Sequence, residues 1–176
     1  GAGAIPLSSE GIVTLIEQHL RGRGASRLPV LVVAAAYEAA MLRVGERARP
    51  LERHNAADLQ TGACGDVEVC LENDERIVTV YEMKQKSVTV GDIDVALAKL
   101  DRQGRVDNYI FITTEPVDRE VADYAASLYD VTRGVEFAIL DCVNFLRHFL
   151  HLFHRLRADF LNAYQRLLLD EPDSAV

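Results

Sequence analysis

Residues 65–85 read GDVEVCLENDERIVTVYEMKQ, and how this stretch pairs with itself decides the fold. Two segments of alternating apolar residues flank the polar turn ENDER, the pattern of a β-hairpin. Successive side chains of a strand point to opposite faces, so Val78, Val80, Glu82 and Lys84 share one face and an apolar row ends in two charges. On the preceding strand Asp66, Glu68 and Cys70 share a face, with Val67, Val69 and Leu71 on the other. Asp66 is thereby expected beside the Glu82/Lys84 end. Two carboxylates and an amine at the edge of an apolar core are costly to desolvate unless a cation or substrate offsets them.

Working outward, the elements alternate. Ile12, Leu15, Ile16 and Leu20 form a helical stripe behind the capping candidates Ser8 and Ser9. Ser26 and Pro29 open a second helix that runs through LPVLVVAAAY toward Gly45 and is stopped by Pro50. LERHNAADLQTGACG is a long polar connection. After the hairpin, Ile93, Leu97 and Leu100 mark a helix capped by Gly104, and DNYIFITT is a strand. PVDREVADYAASLYD is a helix, VEFAIL a strand, and residues from Asp141 to about Leu169 one long helix. The expected fold is α/β, a small mixed sheet flanked by helices. The chain divides into an N-terminal helix and basic loop (1–27), a core (28–140) and the long C-terminal helix (141–176), together one domain.

In this order, GDVEV followed by EMK, with fifteen residues between Asp66 and Glu82, resembles the D…(D/E)xK signature of the PD-(D/E)xK nuclease superfamily, which includes many type II restriction endonucleases. The similarity covers roughly residues 30 to 115. Two departures stand out: Gly65 occupies the position where the superfamily usually has Pro, and no clear strand precedes Asp66 as the third member of the meander, unless part of residues 50 to 60 supplies it.

The resemblance implies a restriction-endonuclease-like core and a magnesium-dependent DNA endonuclease, with manganese as a substitute metal. Asp66, Glu82 and Lys84 would be its catalytic residues. Asp66, Glu82 and the backbone carbonyl of Met83 would be metal ligands, a hard-oxygen set suited to magnesium. Lys84 would orient or help deprotonate the attacking water and stabilise developing charge. The same core serves structure-selective repair or recombination nucleases such as Holliday-junction resolvases, and degenerate members that only bind DNA or protein. Apart from the resemblance, Glu82 and Lys84 also read as a partly exposed ion pair, and Asp66 as a turn residue.

Glu38, an acid within an apolar helix, and Gln85, directly after the motif, are possible additional site residues. Glu68 reads as an exposed strand acid, and His54 and Asp58 lie in the long loop. Net charge is −8, which by itself disfavours a nucleic-acid binder, yet Arg21, Arg23, Arg27, Arg43, Arg47, Arg49 and Arg53 face only three acids between positions 21 and 53, a local balance of +4. These arginines and Lys86 are candidate DNA contacts, or a solvated basic face.

His148, His151 and His154 drift about 60° per step around a helix and make no single ligand face. The Phe145, Leu146, Phe149, Leu152, Phe153, Leu156 and Phe160 pattern suggests a helix contacted on more than one side, either by the chain's own sheet or by a homodimer partner. No run approaches the roughly 20 apolar residues of a membrane span, the start lacks the layout of a secretory signal, and the odd set Cys64, Cys70 and Cys142 matches no metal spacing. A reducing cytoplasm is the expected setting.

Overall fold

A computed structural model describes residues 7–51 and 65–172. Helix α1 (Ser9–Leu20) is capped by Ser8, whose hydroxyl accepts from the Gly11 N–H, while Ser9 is buried and donates to the Leu150 carbonyl. A 3-10 turn (Ala25–Arg27) leads into α2 (Leu28–Val44). Strands β1 (Glu46–Ala48), β2 (Val67–Leu71) and β3 (Ile77–Lys84) form an antiparallel meander. Helix α3 (Val90–Gln103) then crosses to β4 (Asn108–Thr113), and α4 (Arg119–Val131) to β5 (Glu136–Asp141), each strand parallel to the one before. The five-stranded mixed sheet has the order β1-β2-β3-β4-β5, flanked by helices as expected.

Both sheet faces are covered. On one side Tyr81, Val67 and Val69 pack with α1, α2 and the C-terminal helices; on the other Val80, Tyr109 and Phe111 pack with Ile93, Ala96 and Leu100 of α3 and with α4. Apolar side chains of both parities are therefore buried in β3, and its two faces share the core.

The chain starts its meander earlier than residues 50–60. Glu46–Ala48 follows the left-handed Gly45 (φ 71°) directly and pairs with Leu71–Val69. Three residues reading ERA carry neither alternation nor β-branched composition, so their strand state comes from pairing with β2 rather than from local propensity.

The C-terminal helix is broken. Helix α5 (Cys142–Leu152) ends at Phe153 (φ −112°, ψ 49°), a 3-10 turn spans His154–Leu156, and α6 (Arg157–Asp170) follows. No Gly or Pro marks the break; long-range contacts stabilise it. His154 Nδ1 lies 2.7 Å from Ser9 Oγ, Arg157 donates to the Leu7 carbonyl at 3.0 Å, and the turn lets Phe160 and Tyr164 of α6 enter the core beside α2.

Every residue of α2 from Leu28 to Ala36 is buried. By length and composition the segment Ala25–Val44 would suffice to cross a membrane; here its helix α2 is a core helix touching the sheet and α1, α5 and α6.

Gly65 explains one departure noted above. A Cβ at this position would fall 2.5 Å from Val80 Cγ1 and 2.9 Å from the Tyr81 carbonyl oxygen, so neither Pro nor Ala fits without moving β3. Gly65→Ala is expected to lower unfolding free energy by about 1–3 kcal/mol in urea denaturation, the cost of forcing a group into packed space; unchanged stability would show that the strands part freely there.

Candidate active site

The proposed catalytic residues gather at the C-terminal end of β3, where β2 begins. The Asp66 N–H donates to the Tyr81 carbonyl at 2.9 Å, and Asp66 Oδ2 accepts the Met83 N–H at 2.8 Å. Val67 is also opposite Tyr81, so two successive residues of one strand address one residue of the other, and simple alternation does not fix the direction of the Asp66 side chain. The carboxylate instead takes the place of a ladder acceptor where the regular pairing stops. Because the N–H and C=O of one strand residue point to the same side, the Met83 carbonyl faces the strand edge that Asp66 occupies.

Glu82 and Lys84 lie on the α3 side of the sheet. Glu82 Oε1 accepts from the Tyr109 hydroxyl at 2.5 Å and from Lys99 Nζ at 3.2 Å, while Oε2 lies 3.3 Å from Lys84 Nζ. Lys84 is also 3.5 Å from Asp92 Oδ1, and Asp92 completes a capping box with Thr89 at the start of α3. Burial works against the Lys84 ammonium, but the charges of Glu82 and Asp92 outweigh it and hold its pKa above the ordinary lysine value. Its ion pairing is therefore fully present through neutral pH and is lost only as pH rises through that raised value. Burial likewise disfavours the Asp92 carboxylate, yet the Thr89 N–H and the Lys84 charge hold its pKa below the usual one.

Sequence reading missed Tyr109, Lys99 and Asp92. Lys99 falls three residues after Ala96 of the buried face of α3, and Tyr109 belongs to a strand whose apolar pattern hid its hydroxyl. Only the parallel register, with Val80 opposite Tyr109, places that hydroxyl beside Glu82.

The other candidates are dispersed. Glu38 is exposed on α2 and pairs with Arg166 of α6, away from the Asp66–Met83 contact and the Glu82 cluster in its bonding. Glu68, expected to be exposed, is half-buried and lies 3.8 Å from Arg49. Arg27 forms two hydrogen bonds to Glu171 and Arg47 pairs with Glu75. Arg27, Arg47, Arg49 and the unforeseen Arg166 line a groove of about 590 Å³ between α2, β1 and the end of α6. Arg21, Arg23, Arg43, Gln85 and Lys86 are exposed. Arg53, His54, Asp58 and Cys64 lie outside the described residues. Of the C-terminal histidines, His151 binds Glu10 and His154 binds Ser9, and both tie α1 to the α5 end.

Among the described residues no group of three or more His, Cys, Asp or Glu side chains is positioned to hold a metal. Asp66, Glu82 and the Met83 carbonyl are oxygen donors of the hard kind a divalent cation takes, and here both Glu82 oxygens are held by Lys84, Lys99 and the Tyr109 hydroxyl. A comparison with known protein families finds no match, and neither does a comparison with curated proteins.

Glu82 pairs with two ammonium groups and a phenol, of which Lys84 was expected and Lys99 and Tyr109 were not. Glu82→Gln is expected to destabilise the metal-free protein by about 1–3 kcal/mol, because it leaves half-buried ammonium groups uncompensated. Thermal or urea unfolding without metal would check this, and a gain in stability would mean that carboxylate repulsion dominates.

Proposed function

We propose that the chain is a magnesium-dependent DNA endonuclease of the PD-(D/E)xK type, in the manner of a type II restriction enzyme. The observation that carries this reading is the hydrogen bond from the Met83 N–H to Asp66, which joins an acid at the start of one strand to the middle of the Glu82-Met83-Lys84 motif on its neighbour. The element order supports it: helix α2, a three-stranded meander, helix α3 and the parallel strand β4 form the arrangement that the resemblance implies, with β1 as the third meander strand.

The chemistry is the attack of water on phosphorus: a P–O bond to the water oxygen forms as the P–O bond to the leaving oxygen breaks, the water gives up a proton, and the leaving oxygen takes one up to become a hydroxyl beside a phosphate monoester. A divalent cation held by Asp66, Glu82 and the Met83 carbonyl would supply Lewis-acid stabilisation of the phosphoryl oxygens and acidify the water. Asp66 and Glu82 provide the anionic charge for that cation. Lys84 would orient or help deprotonate the attacking water, and its ammonium, 3.3 Å from Glu82 Oε2, would donate hydrogen bonds to the developing negative charge. Asp92 positions the Lys84 side chain, and Tyr109 and Lys99 fix the Glu82 carboxylate.

A second reading rests on the same cluster. Both oxygens of Glu82 already have protein partners, as a closed ion network in a binding module without activity would have. Plasmid and oligonucleotide cleavage assays with and without magnesium separate the two. The nuclease reading expects metal-dependent nicking that Lys84→Ala reduces at least about a hundredfold while the variant stays folded. Folded wild type that never cuts, or equal turnover by Lys84→Ala, favours the ion network.

A further inference from the structure

The basic N-terminal loop and the end of the acid-bearing strand are about sixty residues apart in sequence, yet they line one cleft. It has a volume of about 400 Å³, and its walls include Gly22, Gly24 and Ser26 from the loop, Met83 and Gln85 from the end of β3, and Thr114 just after β4. Gly24 has a left-handed backbone (φ 73°), and neither loop glycine has a side chain to fill the space. Three side chains able both to donate and to accept hydrogen bonds, Ser26, Gln85 and Thr114, thus surround an opening next to Met83, whose N–H is held by Asp66.

The same loop carries two exposed arginines, Arg21 and Arg23. Arg27, Arg47 and Arg49 are engaged by Glu171, Glu75 and Glu68, and Arg43 lies at the far end of the seventeen-residue helix α2. Arg21 and Arg23 alternate with the cleft glycines and are exposed; the carboxylate nearest Arg21 is Glu17, at 3.9 Å and one turn back on the surface. Such a distant, exposed pair contributes little and yields readily to a phosphate.

We propose that this cleft receives the nucleotide adjoining the cleaved bond, with Arg21 and Arg23 contacting backbone phosphates and Gln85 acting as a specificity-determining residue that reads a base edge. The assignment rests on the nuclease reading for its substrate. An amide offers a donor and an acceptor side by side, the pattern that discriminates one base from another, while guanidinium groups on the loop bind phosphates without regard to sequence.

The test has two arms. In the first, binding of a duplex oligonucleotide is measured against salt without divalent metal. The Arg21→Gln/Arg23→Gln double variant should reduce the slope of log K against log salt by about 1.8, while Arg76→Gln, which removes one charge in the turn at the opposite end of β3, leaves it unchanged. In the second, a duplex library randomised around the cut is digested with magnesium and the ends are sequenced. Gln85→Ala should still cut but lose at least about tenfold of the wild-type preference at one base position. Unaltered slope and preference, or an equal slope change in Arg76→Gln, would overturn the assignment while leaving wild-type cutting intact. A wild type that never cuts, but whose salt slope falls in the double variant, would instead end the nuclease reading and keep the cleft as a nucleic-acid site. A wild type that binds no DNA would end both.

Discussion

Where β2 runs out, the Asp66 carboxylate accepts the Met83 N–H that the ladder would otherwise leave without a strand partner. This one hydrogen bond fixes the relation between two strands and between the acid and the E-x-K segment. It depends on the close approach at Gly65, where a side chain would meet Val80 and the Tyr81 carbonyl. It depends also on what holds β3 in place. Tyr81 hydrogen-bonds through its hydroxyl to Tyr37 of α2 at 2.8 Å, so the core helix grips the strand one residue before the motif begins. Burial pushes the pKa of both phenols up, so they stay neutral further into alkaline solution than a free tyrosine.

On the other face the same strand end is held by charge. Glu82 is surrounded by Lys84, Lys99 and the Tyr109 hydroxyl, and Lys84 is shared with Asp92. The half-buried Glu82 carboxylate persists because it is hydrogen-bonded on both oxygens, and the capping box at Thr89 anchors the α3 end of the cluster. Strand β3 is thereby clamped by an aromatic pair on one side and an ion network on the other. Side chains built on a sheet so restrained keep their positions before any ligand arrives.

Much of this was legible in the sequence, for identifiable reasons. The hairpin, α3 with its Gly104 cap, β4 and α4 follow from local periodicity and stop signals, and the acid and E-x-K were conspicuous because charges ended an apolar strand. Strand β1 was illegible because Glu46–Ala48 is a strand through its partner rather than through its own residues. The break at Phe153 was hidden because α5 and α6 both place apolar residues at helical spacing and neither Gly nor Pro separates them; contacts with Ser9 and Leu7, some 145–150 positions away, stabilise it. Tyr109 and Lys99 were missed because their neighbourhood with Glu82 is a product of parallel strand register and helix packing, which no single segment encodes. The arginines, one group by sequence, separate in space according to the carboxylates that the fold brings to each of them.

A divalent cation held between Asp66 and Glu82, as against two unrelated structural acids, is the claim on which the proposed function stands. Calorimetric titration of manganese or magnesium, read together with the melting temperature, tests it without reference to any substrate. Wild-type protein is expected to bind the ion and to melt at a higher temperature when it is present, since a ligand held only by the folded state stabilises that state. Asp66→Asn is expected to fold, with an affinity and a thermal response that fall together. A wild type that shows no binding heat and no shift in melting, or an Asp66→Asn variant that responds as the wild type does, would contradict the claim.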